Sequence, residues 1–418
     1  ELVNLREKLE QAEIDFNNIK NTQEDKFLAS YSKILYKKEV FDVRKYAAQS
    51  GKNFILTGWV PKKISKEFLK QLEAINDVSV VIDNPEDTDI YEVPTKLNNP
   101  KIFRPFEQFV DMYGTPAYNE FDPTPLVAIT YSLIFGIMFG DLGQGLIILL
   151  AGLFMWKKMS MPLGKILCVI SVSSMIFGAL YNSVFGIDGQ LPWPAFAPLE
   201  NTNNIMILLF AAVGIGVVII FISMIINVIN GIRQKDIERA VFSTSGIVGF
   251  VFYFSIIFAV LLLLGVKKNI FTWWYIGLFV VVPLIIFFLK EPILNMIKKK
   301  KEIIPGSKGE FFTSSFFELF ESVLSYITNT VSFVRIGAFA INHAGMMLVV
   351  KVIADMAGSA GSIPVMIIGN IFVTCLEGLI VGIQVLRLEF YEIFSKFYKG
   401  DGRKFRPIKV KYKQNKED

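Results

Sequence analysis

Ser332-Phe-Val-Arg-Ile-Gly-Ala-Phe-Ala-Ile-Asn-His343 and Cys375-Leu-Glu-Gly-Leu-Ile-Val-Gly-Ile-Gln-Val-Leu-Arg387 decide how this chain is read. Each lies inside a long apolar run, Phe311–Asp355 and Ile363 to about Tyr398, and each sets an arginine among hydrocarbon side chains. An arginine at the centre of a membrane helix costs roughly 2.5–3.5 kcal/mol on insertion scales, so it marks a charge path or a buried ion pair. A crossing takes about 20 residues at roughly 1.5 Å each. Both runs exceed that length, which predicts helices that tilt strongly, project beyond the bilayer, or do both. At roughly 100° per residue, Glu321, Arg335 and His343 share an arc of about 80° on the first helix. Glu377, Gln384 and Arg387 share a similar arc on the second. Stripes of this kind face each other, a water-filled cavity or a charged partner. Plainer readings stay open: Arg387 as an interfacial anchor, Arg335 in a structural pair with Glu377 or Glu321, and His343 as a hydrogen-bonded packing residue.

Working outward, 52% of the 418 residues are apolar, 38 of them phenylalanine, and they are unevenly spread. The first 120 residues are charged and mixed; from Leu126 onward come repeated apolar runs, which predicts a soluble part followed by a polytopic membrane part. Eight spans are expected at 124–141, 143–157, 164–186, 204–230, 241–264, 270–290, 313–352 and 363–396. Between the first two, Phe139-Gly-Asp-Leu-Gly-Gln-Gly145 is so tight that they form a hairpin, with Asp141 capping the turn. Gly136/Gly140 and Gly378/Gly382 predict close helix contacts. With the soluble part in the cytoplasm, the inner loops and tail hold twenty-one Lys and Arg, from Lys157 to Lys416 and including Arg233, Lys235 and Arg239. The outer loops hold three, Lys267, Lys268 and Lys351, and the stretch Ile187–Asn203 holds none. That asymmetry places both termini in the cytoplasm and accounts for the net charge of +5 without nucleic acid.

Upstream, Leu2, Leu5, Leu9, Ala12, Phe16 and Ile19 form a heptad seam that slips near Gln23 and resumes at Phe27, Tyr31, Ile34 and Phe41. The seam predicts a coiled coil, or else an amphipathic helix packed on its own domain. Asn53–Pro61, Ser65–Ile75 and Val78–Asp83 then read as a small β-α-β lobe. A linker, Asn84–Thr124, follows with a short helix at Phe103–Tyr113 suited to a membrane interface. A start at Glu1, directly in a helical pattern, leads us to expect further chain upstream. Cys168 and Cys375 read as buried packing residues, and one histidine with two distant cysteines builds no tetrahedral metal site. No phosphate-binding loop occurs. Neither a cofactor nor a metal is expected, so any energy source lies with a partner or an ion gradient.

These residues resemble the large membrane subunit of V-type and archaeal-type rotary ATPases, subunit a in eukaryotes and subunit I in bacteria. The resemblance is carried by Leu56-Thr-Gly-Trp-Val-Pro61, by Tyr113-Gly-Thr-Pro with Asp122-Pro-Thr-Pro, and by Phe139–Gly145. Ser332-Phe-Val-Arg335 with His343-Ala and Leu376-Glu-Gly with Arg387 complete it. It implies a mostly α polytopic membrane protein of eight transmembrane helices, the last two long and tilted, behind a cytoplasmic coiled-coil arm and a small α/β lobe. The implied domains are a stator-arm helix at 1–50, lobe and linker at 51–123, and membrane helices 1–6 at 124–290. A cytoplasmic loop at 291–312, ion-path helices at 313–398 and a basic tail at 399–418 follow. It also implies a stator without an ATP site of its own, flanking a rotor ring of small membrane subunits and joined to peripheral stalk subunits. The soluble ATPase sector and membrane lipid complete the partners. Arg335 and Arg387 would displace H⁺ or Na⁺ from ring carboxylates, with Glu321, His343, Glu377 and Gln384 lining or supporting the path. Lys, Ile and Asn usage suggests a bacterial plasma membrane. The competing readings are a secondary ion-coupled transporter with a cytoplasmic regulatory domain, which would show inverted repeats, and a membrane scaffold with structural charges.

Overall fold

Charged and amide residues fill the positions between the apolar seam of the first 44 residues, and the segment forms one helix, α1 (Leu2–Arg44). The structure, a computed structural model, describes residues 2–83, 93–189, 192, 202–265, 272–299 and 308–407. Lys267, Lys268, Lys300, Lys301, most of the 187–203 stretch, residues 84–92 of the linker and the tail beyond 407 lie outside the described residues. Contacts divide the chain into residues 1–96 with 404–418, and residues 97–403.

In the first unit the seam residues Leu5, Leu9, Phe16, Phe27, Ile34 and Phe41 are all exposed. A coiled coil therefore needs a second helix that the described residues do not supply. The expected β-α-β lobe takes another form. Strand β1 (Ala47–Ser50) pairs antiparallel with β2 (Asn53–Leu56) through a turn at Gly51, whose φ is +62°. Helix α2 (Lys62–Glu73) follows. Val78–Asp83 makes no strand; Val81 and Ile82 are exposed, and no strand among the described residues offers their backbone a ladder.

The second unit begins with a 3₁₀ turn (Arg104–Phe106) and α3 (Glu107–Tyr113). Against the expectation of an interfacial helix, Phe106, Phe109 and Val110 enter the main core. Helices α4 (Thr124–Met138), α5 (Leu142–Lys157) and α6 (Leu163–Tyr181) come next, then a two-residue hairpin, β3 (Ser183–Val184) with β4 (Ile187–Asp188). Next are α7 (Thr202–Arg233), a π-helical turn at Glu238–Phe242, and α8 (Ile247–Gly265). A continuous helix at Trp273–Phe288, α9 (Trp273–Ile276) joined through a π turn to α10 (Val282–Phe288), bends by 67° into α11 (Lys290–Ile297). Pro292 accounts for the bend: it has no N–H to offer the carbonyl of Phe288 and its ring crowds that group. Helices α12 (Lys308–Ser332), α13 (Val334–Met356) and α14 (Gly358–Arg387) follow. The last continues through a π-helical turn at Leu388–Phe394 into α15 (Ser395–Phe397).

Among the described residues, five helices are long and apolar enough to cross a membrane, six if the bent pair is one span. Eight spans therefore do not all appear as full-length crossings: α4 and α5 have 15 and 16 residues, shorter than the about 20 a crossing takes. The over-long runs are real helices, 48 residues at Gly309–Met356 and 37 at Gly361–Phe397. The expected loop at 353–362 is almost entirely helical, broken at Ala357, where Gly358 takes a φ of +71°.

Glycines set the contacts of α4, α5 and α6. A Cβ on Gly136 would meet Ser173 Oγ at 2.3 Å, and one on Gly140 the ring of Tyr181 at 2.4 Å. Gly136/Gly140 thus makes the close contact expected of it. Gly378 has nothing within 4 Å and Gly382 meets only Tyr131 Oη at 3.4 Å, so the second pair is not packed tightly within this chain. At Gly178 a Cβ would strike the backbone of Asp141 and Leu142 at 2.3–2.8 Å. Gly178→Ala is expected to cost about 1–3 kcal/mol by overpacking. Gly214→Ala, in open space within α7, should be neutral or stabilising by up to about 1 kcal/mol. Thermal melts of the detergent-solubilised protein compare the two.

Candidate functional site

Phe333 is the residue that positions the site. It sits between α12 and α13, fully buried, with its ring in the space left by Gly216 of α7, where a Cβ would come within 2.1 Å. Arg335 follows it on the first turn of α13. Its side chain is 17% exposed, and Nη2 lies 3.8 Å from Glu392 Oε1. Nη1 is buried without a hydrogen-bond partner among the described residues. The guanidinium is thus held near a carboxylate but is not saturated by it. Arg387, the last residue of α14, is exposed and lies within electrostatic reach of both Arg335 and Glu392.

Farther along the hairpin, α13 and α14 meet through His343 and Glu377, both buried, with Nδ1 2.6 Å from Oε2. A carboxylate accepts only, so an ionised Glu377 takes the Nδ1 hydrogen and fixes the ring's tautomer. Asn342 Nδ2 reaches Glu377 Oε1 at 3.5 Å. His343 Nε2 is buried without a partner among the described residues, and the ring also lines a small cavity with Gly140, Tyr181, Ser183 and Met347. Asp141 caps α5 as expected, accepting from Gln144 N at 2.8 Å. It also accepts from Ser183 Oγ, Phe185 N and Gly186 N. Its oxygens are committed to these donors, which leaves it a hinge of the hairpin turn. Gln144 Nε2 donates to Asn370 Oδ1 at 2.9 Å across to α14.

Of the six candidate residues, the structure joins His343 with Glu377 and brings Arg335 near Arg387. Gln384 is half-buried on α14, and Glu321 stands exposed on α12. Arg335 pairs with neither Glu377 nor Glu321; its partner is Glu392, which sequence reasoning missed as a site residue. Glu389 and Thr130 were missed too, with Thr130 Oγ1 2.6 Å from Glu389 Oε1. A usable signal existed: two carboxylates within five residues of Arg387 in an apolar run. Cys375, expected to be buried, is exposed on α14.

A second charged cluster holds the base of these helices. Arg239 Nη1 lies 3.0 Å from Glu120 Oε1, both side chains buried. The same guanidinium donates to Asn227 Oδ1, Gln234 Oε1 and the carbonyl of Phe397. Asn230 accepts from Phe121 N and donates to the Phe397 carbonyl. Arg239, counted by sequence as a loop charge, thus ties the linker, α7 and the end of the last helix together. Beside it Tyr398 donates to the Gly114 carbonyl, and burial pushes its phenol pKa up.

The model of the V-type ATPase 116kDa subunit family matches residues 1–203. The A-type ATP synthase subunit I of Pyrococcus horikoshii is 28% identical, over 97% of this chain and 62% of that protein. The protein of the same name from Thermococcus kodakarensis is also 28% identical, over 92% of this chain and 59% of its own length. That from Methanocaldococcus jannaschii is 26% identical over 93% and 59%. This chain spans about three fifths of the length of the relatives it matches. With the arginine-bearing hairpin and several long apolar helices in place, the chain is similar to the V-type ATPase 116kDa subunit family through residues 1–203 and to A-type ATP synthase subunits I over nearly its whole length.

Proposed function

We propose that this chain is the ion-translocating stator of a rotary ATPase, handing H⁺ or Na⁺ to and from carboxylates on a rotating ring of small membrane subunits. The observation that carries the reading is Arg335: half-buried, 3.8 Å from its nearest carboxylate, with an uncommitted Nη1. A guanidinium so placed can serve an incoming acid. A carboxylate brought beside it has its charged form favoured and releases its cation, and the arginine stays charged throughout. Arg387 adds a second positive charge. His343 and Glu377, beside the small cavity, would support one half-channel, with Gln384 on the same helix; Glu321, exposed on α12, would belong to the other. Both termini lie on the cytoplasmic side, where α1 forms part of an arm toward peripheral stalk subunits, and the ATP-hydrolysing sites belong to a soluble sector.

Purification tests the reading. The stator should co-purify with a small, very apolar membrane subunit and soluble ATPase subunits; isolation alone or as a homo-oligomer would support a secondary transporter instead. Within the reading, His343→Ala and Glu377→Gln act on one hydrogen-bonded unit. Their combined effect on flux should fall short of the sum of the single effects by about 0.5–3 kcal/mol in a double-mutant cycle. Additive losses would separate the two residues. Varying Na⁺ in the flux assay identifies the ion, since pumping independent of Na⁺ means protons.

A further inference from the structure

Thr130 of α4 and Glu389 of the π-helical turn meet in a closed, apolar site. Thr130 Oγ1 lies 2.8 Å from the Leu126 carbonyl, one turn back, and 2.6 Å from Glu389 Oε1. A hydroxyl has one hydrogen and two acceptor lone pairs, so it cannot donate to both oxygens. Glu389 has no exposed surface, and its Oε2 has no hydrogen-bond partner among the described residues. An ionised carboxylate there would be a buried charge with at most one hydrogen bond, whereas buried charges otherwise come paired. The cations of the neighbourhood serve the other acid: Arg335 and Arg387 both act on Glu392, while Thr130 is the polar partner acting on Glu389.

We propose that Glu389 is held as a neutral carboxylic acid that donates its hydrogen to Thr130 Oγ1, while Thr130 donates to the Leu126 carbonyl. The pair is an uncharged latch. It pins the π-helical turn to α4, next to Tyr131, which donates to the Gly382 carbonyl of α14 at 3.2 Å. Arg387 precedes that turn and Glu392 lies within it, so Glu389 is a positioning residue for the Arg335–Glu392–Arg387 group. Two acids three residues apart differ in surroundings, Glu392 lying 3.8 Å from the Arg335 guanidinium and Glu389 beside a hydroxyl.

Infrared spectroscopy of the complete complex in lipid vesicles tests the protonation directly. The carbonyl band of a buried carboxylic acid should be present, should vanish in Glu389→Gln, and should move in Thr130→Val but not in Thr130→Ser. The wild-type minus Glu389→Gln difference spectrum cancels the ring's own carboxyl groups; a difference spectrum without that band, or a band that is the same in both Thr130 variants, overturns the proposal. Should Glu389→Gln fail to assemble, the Thr130 pair still decides. Positioning is read by flux, and this arm rests on the stator reading. Glutamine is a neutral donor of nearly the same shape, so Glu389→Gln should keep flux within about threefold of wild type, while Glu389→Leu loses about tenfold or more. Equal losses in both would mean that Glu389 must ionise or exchange its proton, against the proposal. A band that behaves as expected in a wild-type complex without flux would sink the stator reading alone.

Discussion

Arg335→Ala is expected to lower cation flux through the assembled complex by about 100-fold or more, the scale on which removing one preorganised charge-stabilising group acts. The physical reason is the incomplete pairing of the guanidinium. With Glu392 at 3.8 Å and Nη1 unpartnered, little of its hydrogen-bonding capacity is spent on the fold, so its loss should leave assembly largely intact. Arg335→Lys keeps a charge but not the planar fork, and flux should fall between wild type and alanine. Arg387→Ala should also stop coupled transport, although Arg387 is exposed and a retained fraction of flux there would return it to the role of interfacial anchor. Flux in vesicles, with subunit composition checked on the same preparation, separates a transport defect from an assembly defect. Full pumping by Arg335→Ala removes the residue from the mechanism.

Arg239→Met is expected to act oppositely, on stability before transport. It leaves Glu120 buried without its cation and removes donors from Asn227, Gln234 and the Phe397 carbonyl. Breaking one side of a buried pair costs roughly 3–5 kcal/mol, whereas replacing both sides by apolar residues is often near neutral. The double variant Arg239→Met with Glu120→Leu should therefore melt closer to wild type than Arg239→Met does. Thermal unfolding of the detergent-solubilised protein measures both. If the single variant melts like wild type, the cluster is not what holds the end of the last helix to the linker.

The long helices were legible because a long hydrophobic run is a local signal. The helical period put His343 and Glu377 on their two helices without pairing them; the partner it offered Glu377 was Arg335, whereas Glu377 meets His343. What the period did not reach lies where it fails. A π-helical turn at Leu388–Phe394 breaks the 3.6-residue repeat, so extrapolation from Arg387 could not aim Glu389 at Thr130 or Glu392 at Arg335. Arg239 and Glu120 are 119 residues apart, and charge counting treats the arginine as a topology signal whether or not it is buried. The expected span 124–141 runs past the end of α4 because apolarity continues through Phe139, where the helix already stops, while 143–157 matches α5 to within one residue. Val78–Asp83 shows the converse: a pattern fit for a strand stays irregular where the described residues offer no neighbouring strand to receive it.

In the proposed mechanism the hairpin of α13 and α14 is one half of an ion site whose other half is on a partner. A single cysteine placed at Ile383, 54% exposed beside Gln384 on α14, tests it, with the exposed Cys375 changed to serine. In the purified complex, cross-linking should capture a small, apolar, carboxylate-bearing membrane subunit and should block ATP-driven transport once formed. Capture of a second copy of this chain, or transport that continues at full rate after cross-linking, would rule out a shared ion site.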